Sequence, residues 1–414
     1  MNNKFKFFII TFFSILVLCS CSTNKETTKT KEITVMVPDW GIPASEILDE
    51  FKEETGINVT ILPTSWEEIK TKVAFAATSK KAAADVFEVD WSWAGEFVEA
   101  GFLEKLSLDK DTIVDIPSTK YFEVNNDIYA IPYINDLRIT YINKKMFDEA
   151  GIKKMPTNYK ELAKNLQTLK DKKIIEYPML FPLSAEEKTT TSFITLAYSL
   201  NGKLFNDDNT LNKKTATLAI DLLKDYIDKG YINKTNVSTP GIDIFRGLNN
   251  ANGAVLIGPT SYLISSNDEN VSKVVGQITS IPLLGLKTNA KNTLNFTEAL
   301  GISSYSENKE KAKLFVDWLT SKEIQLKLQK QSNIAPTRTS VIKELVDNKI
   351  ITNAPSLVEQ SKIVSSPFPN GVPSYYSQMS KEIYNTINQL PNLSTKEAVK
   401  QLEDKINALA MENK

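Results

Sequence analysis

Trp40, Trp66, Trp91 and Trp93 each stand just past a run of residues that reads as a β-strand, and Asp90 directly precedes Trp91. Indole faces beside a carboxylate suit non-covalent capture of a small molecule. The rings supply large contact area at low entropic cost, and planar polar groups supply direction. Trp40, Trp66, Asp90 and Trp91 are therefore read as ligand-facing. Asp136 and Arg138 are two residues apart, so on an extended strand they face the same side. They either point into a common site or pair with each other. Glu298, just before the predicted strand Ala299 to Ser303, either accepts hydrogen bonds from a ligand or is solvated. Trp318 falls on the apolar face of a helix, with Leu314, Phe315 and Leu319, and reads as core.

Several chemistries are excluded by composition. Histidine is absent, and the two cysteines are Cys19 and Cys21. Zinc hydrolysis and the Ser-His-Asp or Cys-His mechanisms therefore lack their parts. No GxGxxG or GxxxxGK[ST] motif occurs, so no nucleotide cofactor is expected, nor any metal. With 49 basic and 50 acidic residues there is no basic stripe for nucleic acid. Paired carboxylates remain open, as a glycosidase would use, although such numbers are also what a solvated surface needs.

The first residues read as an export signal. Lys4 and Lys6 precede an apolar run from Phe7 to Leu18, interrupted only by Thr11 and Ser14. That run is shorter than the roughly 20 residues a spanning helix needs. It ends in Leu18-Cys19-Ser20-Cys21, which resembles a bacterial lipobox. On that reading residues 1–20 are removed and Cys21 carries lipid. An ordinary secretory signal is the alternative. Residues 21–31 lack large hydrophobes and read as a flexible tether. The remaining domain has no disulfide and must be stable through its core.

Strand and helix signals alternate after the tether. Ile33 to Val37, Ile57 to Leu62 and Asp85 to Asp90 read as strands. Between them lie the predicted helices Ser45 to Thr55, closed by Gly56, and Ser65 to about Ser79, opened by a capping box through Glu68. Trp91 to Ala100 reads as a third helix. Later strands are expected at Tyr129 to Tyr133, Arg138 to Ile142, Ala254 to Ile257, Val274 to Pro282 and Ala299 to Ser303. Helices are expected near 158–170, 189–200, 215–229 and 240–250, and over most of the chain from Glu307. A second capping box, Ser394 to Glu397, opens the last helix. This order predicts an α/β fold.

Ordered segments carry a family resemblance. Phe51 to Val59 (FKEETGINV), Asp85 to Trp93 (DVFEVDWSW), Tyr129 to Tyr133 (YAIPY), Tyr141 to Lys144 (YINK), Ala299 to Ser303 (ALGIS) and Ile334 to Arg338 (IAPTR) resemble, in family order, the carbohydrate-type (family 1) extracellular solute-binding proteins, the group of the maltose-binding proteins. The resemblance implies a two-lobed periplasmic-binding-protein-like fold. Each lobe would be a mostly parallel sheet flanked by helices, the two joined by crossing hinge strands. The lobes would span 31–137 plus 283–331 and 140–280 plus 335–414. It implies a monomer that holds a carbohydrate between its lobes, works with the permease subunits of an ABC importer, and is held at the membrane by its lipid. It also implies that Trp93 packs rather than binds, and it adds Tyr262, Tyr375 and Tyr376 as ligand aromatics. Packing is the alternative for Tyr262, and Met379 competes for the last position. A binding protein for a peptide or polyamine, and an exported glycoside hydrolase, are the competing readings.

Overall fold

The computed structural model describes residues 31–332, 334–352 and 354–413, so Cys21 and the export signal lie outside the described residues. Eleven strands are seen among them: β1 (Glu32–Val37), β2 (Asn58–Pro63), β3 (Val86–Asp90), β4 (Glu123–Val124), β5 (Asp127–Ile128), β6 (Ala130–Ile134), β7 (Arg138–Asn143), β8 (Met179–Leu180), β9 (Val255–Pro259), β10 (Ile278–Ile281) and β11 (Glu298–Ile302). They form a sheet ordered β2-β1-β3-β11-β6, a second ordered β10-β7-β9-β8, and the small β4-β5 hairpin. Parallel pairing is confined to β2-β1-β3 and to β8-β9. β11 runs antiparallel to β3 and β6, and β7 antiparallel to β9 and β10. The sheets are thus mixed. The antiparallel members are the strands flanking the crossings, where β6 passes to β7 and β10 passes to β11.

Three chain segments cross between the sheets and are bonded to one another. Asn135 N–H donates to the Ala335 carbonyl at 3.0 Å and Arg138 N–H to that of Leu294 at 2.9 Å. The Asn135 side-chain amide donates to Pro336 O at 2.9 Å, and Asp136 N–H to Asn295 Oδ1 at 2.9 Å. These bonds satisfy the backbone where the chain passes from one sheet to the other.

Local sequence accounts for most elements. In the helix Ser45–Thr55, Ile47 and Phe51 are buried one turn apart, and Gly56 closes it at φ 71°. β3 is buried at every residue, including Glu88 and Asp90, because β1 and β11 flank it. The last helix, Thr395–Glu412, carries the full Ser394–Glu397 capping box. Three expectations change. Ser65 precedes the helix Trp66–Thr78 without a side-chain cap bond, and Glu68 pairs with Lys72 instead. The stretch after β3 is a 3-10 turn, Trp91–Trp93, followed by the helix Ala94–Glu99. Leu314 is exposed and Trp318 only partly buried, its indole N–H donating to Glu54 at 2.8 Å. The turn that presents Leu314 to solvent leaves Trp318 at the edge of the core rather than inside it.

Candidate functional site

Four side chains from the ends of β1, β3 and β11 and the start of the second long helix form one wall of a cleft. Trp40 lies in the turn Asp39–Gly41 after β1, is 54% exposed, and donates from Nε1 to Glu298 Oε2 at 2.9 Å. Trp66 opens its helix, half-buried, with its ring 4.8 Å from Trp93 and its Nε1 donating to Asp90 Oδ2 at 3.3 Å. The other oxygen of Asp90 accepts from Ser92 N–H at 2.8 Å and Ser92 Oγ at 2.5 Å. That cap starts the 3-10 turn and aims the residues after β3. Trp93 packs against Trp66 and Phe97.

Trp91 borders the cleft floor but is only 2% exposed. Its ring meets Phe296 at 4.7 Å, Tyr376 at 4.7 Å and Tyr121 at 6.1 Å. Trp40 presents an exposed ring to the cleft, whereas Trp91 is mostly enclosed by other rings. Tyr376 lies beneath it, with its hydroxyl donating to Glu187 Oε1 at 2.5 Å. Tyr375 turns toward Asn209, whose amide lies 3.4 Å from its hydroxyl. Neither tyrosine lines the cleft, because their helix, Tyr376–Gln389, packs behind it. Met379 is fully buried in the same helix.

The opposite wall comes from β7, β9 and two helices. Arg138 opens β7, is 3% exposed, and pairs with Asp136 at 3.0 Å. Its guanidinium lies 4.8 Å from the Phe296 ring centre and 5.9 Å from that of Phe245. Its Nε and Nη1, and Oδ1 of Asp136, are buried without a hydrogen-bond partner. Both alternatives for this pair therefore hold at once: the groups bond each other and line the cleft with unused capacity. Tyr262 packs edge-on against Phe245 at 6.0 Å and also borders the space. Together these walls enclose about 830 Å³.

Residues not anticipated from sequence also line it. Phe245 and Arg246 come from the helix Gly241–Arg246, and Glu187 and Lys188 from the start of Glu187–Asn201. Phe296 stands two residues before Glu298, so alternation along the approach to β11 was its one available signal.

Carboxylates outnumber cations in the lining. Glu67, Asp90, Asp136, Glu186, Glu187 and Glu298 face Arg138, Lys188 and Arg246. Burial opposes ionisation and raises Asp90, though its bonds to Ser92 and Trp66 resist this. Burial pushes Asp136 up to about 6 against the pull of Arg138. Burial likewise lifts Glu187 to about 7 and Glu298 to about 8, the latter with help from the charge of Asp90. Lys188 draws Asp90, Asp136 and Glu187 the other way. Among the described residues no group of three or more carboxylates is arranged to hold a metal ion.

A sequence profile of bacterial extracellular solute-binding proteins matches residues 39–326, which contain every strand but β1. The chain belongs to that family. Among solved structures, the solute-binding protein resembles a maltose-bound MalE protein of T. maritima, with TM-score 0.74 and 22% identity over 91% of this chain and 99% of the other. It also resembles the sugar-binding protein MalE of Xanthomonas citri, with TM-score 0.77 and 16% identity over 92% and 98%. These likenesses establish the two-lobed fold. A diacetylchitobiose binding protein of Streptomyces coelicolor is 25% identical over 184 residues, 42% of this chain and 41% of that one. A binding protein of Brucella abortus is 24% identical over 357 residues, 81% of each chain.

Proposed function

We propose that this solute-binding protein captures a carbohydrate between its lobes and delivers it to the permease of an ABC importer, anchored to the outer face of a membrane through lipid on Cys21. The observation that carries the reading is the pairing, around one cavity, of the open Trp40 face with a buried Arg138 and its half-buried partner Asp136, whose donors and acceptor are not all used. An aromatic face fits the C–H surface of a pyranose, and fixed polar groups discriminate among its hydroxyls. The cavity falls within the roughly 300–1,000 Å³ usual for small-ligand sites. Sugar ligands are named for several relatives, which favours the same class here. We place the lobes at 31–137 plus 283–331 and 140–280 plus 335–414, boundaries supported by the way the strands divide between the two sheets. Hinge closure would then bury the ligand.

A cationic solute such as a polyamine is the second reading, favoured by six carboxylates against three cations in the lining. The raised carboxyls weigh against it. Near neutral pH Glu298 and part of Glu187 hold protons, so between one and two of the six formal negative charges are not expressed. A thermal-shift screen of monosaccharides, oligosaccharides, polyamines and amino acids separates the two. Carbohydrates alone should raise the melting temperature, with stabilisation of about 2.7 kcal/mol at a ligand concentration near 100 times Kd. A response confined to polyamines or amino acids would sink the carbohydrate reading, and product release from a bound oligosaccharide would indicate a hydrolase.

The anchor has its own test. Cys21→Ala should abolish incorporation of labelled fatty acid and release the protein from membranes, since acyl chains supply the attachment. A mutant that stays labelled and membrane-bound would overturn the lipid assignment.

A further inference from the structure

We propose that Glu88, a residue outside the cleft lining, positions Trp40 at the cleft through a proton shared with Glu298. This rests on the cleft being the ligand site, but its test needs no ligand. β3 and β11 run antiparallel with Glu298 opposite Asp90 and Leu300 opposite Glu88. The pairing places all three carboxylates on one face of the sheet, with Glu88 diagonal to Glu298. Each has a different partner. Asp90 is held by Ser92 and Trp66. Glu88 Oε2 accepts from the Tyr133 hydroxyl at 2.6 Å, and Glu298 Oε2 from the Trp40 indole at 2.9 Å.

One atom is left over. Glu88 is fully buried, and its Oε1 has no donor. The carboxyl group that acts on Glu88 from across the β3–β11 pairing is that of Glu298. Two ionised carboxylates cannot share such a site, whereas one proton between them supplies the missing donor. The ionisable groups acting on the pair are Asp90 from β3, Tyr133 from β6 and Asp136 from the crossing, all acidic. Burial and this mutual repulsion raise both glutamates, Glu298 to about 8.

Trp40 is tied to this pair twice. Its indole bonds Glu298, and its neighbour Gly41 rests on the Tyr133–Glu88 bond. A Cβ at position 41 would collide with Tyr133 Oη and stand 3.3 Å from Glu88 Oε2. Loss of the shared proton puts two repelling charges beneath the turn that carries Trp40. Glu298 then moves away from Glu88, and the indole loses its fixed acceptor.

Two readings on the ligand-free protein decide the point. Infrared difference spectra at neutral pH, wild type minus Glu88→Gln and wild type minus Glu298→Gln, should each show the carbonyl band of one protonated carboxylic acid. Tryptophan fluorescence, taken as the difference from Trp40→Phe, should titrate in the alkaline range in wild type. That titration should be absent in Glu88→Gln, whose amide donates permanently to Glu298. Glutamine matches the shape of glutamate, and the cleft-lining Glu298→Gln reports the same proton from the more accessible side. Absence of the acid band in both differences, or a Trp40 titration unchanged by Glu88→Gln, would overturn the proposal. Failure of carbohydrates to bind would leave it standing, since neither reading uses them.

Discussion

Replacing Trp91 with alanine should lower the stability of the protein by about 3–5 kcal/mol, the usual cost of truncating a large buried aromatic. In the sequence Trp91 reads as a ligand-facing residue just past β3, and a cleft residue of that kind would leave no core cavity and predict little change. The structure reverses this, because the ring is 2% exposed and sits against Phe296, Tyr376 and Tyr121. Three aromatic contacts of roughly 0.5–1.5 kcal/mol each are lost along with the buried area. The vacated space has rigid walls, since Tyr376 is held by Glu187 and cannot swing in freely. Trp40→Ala is the control. Its ring is 54% exposed, so its stability cost should stay under about 1 kcal/mol while ligand affinity falls. Urea unfolding of both variants, paired with calorimetry of the sugar found by screening, separates core from platform. A Trp91→Ala protein that unfolds at the wild-type midpoint would mean that the enclosing rings contribute no packing.

The contrast between these tryptophans shows which layer of information a sequence carries. That residues after strands gather at a cleft follows from the general placement of ligands beyond the carboxyl ends of strands. Trp40, Trp66, Asp90 and Trp91 were accessible on that basis alone. Which of them faces solvent depends on what covers them from afar. Trp91 is covered by Phe296 and Tyr376, which follow it by more than 200 residues. Phe245, Glu187 and Lys188 lacked any comparable signal, since they sit on helices, one of them buried at every residue from Thr189 to Leu200, and meet the cleft through tertiary packing. Strands were easier to read than their pairing. Alternation located β1, β2 and β3, while the antiparallel insertion of β11 between β3 and β6 follows from the crossing segments. The 3-10 turn after β3 replaced the start of a predicted helix because Asp90 accepts from Ser92, a competing local bond that helical periodicity does not register.

Arg138→Met should cost about 3 kcal/mol of stability and, on the carbohydrate reading, weaken binding roughly 10- to 100-fold. Methionine fills similar volume against Phe245 and Phe296, so the loss is of charge rather than packing. The guanidinium is the partner of Asp136 at 3.0 Å, and the Asp136 side chain is 30% exposed, which favours the lower end of the range for breaking a buried pair. pH supplies a sharper signature. Burial already pushes Asp136 up to about 6, with Arg138 holding it down, so removing the arginine raises it further. An acid raised in the folded state binds more protons there than in the unfolded chain, so stability falls as pH rises between the two pKa values. In wild type that window runs from about 4 to about 6, and in the variant it extends to higher pH. The deficit of Arg138→Met should therefore be widest near neutral pH and shrink at about pH 5, where Asp136 takes a proton. Asp136→Asn on the Arg138→Met background should recover part of the loss, because an unpaired charge is replaced by a neutral amide of the same shape. Unfolding of the two single variants and the double at both pH values completes the cycle. A deficit independent of pH and untouched by Asp136→Asn would show that Arg138 acts through its stacking on Phe296 and Phe245 instead of through its charge.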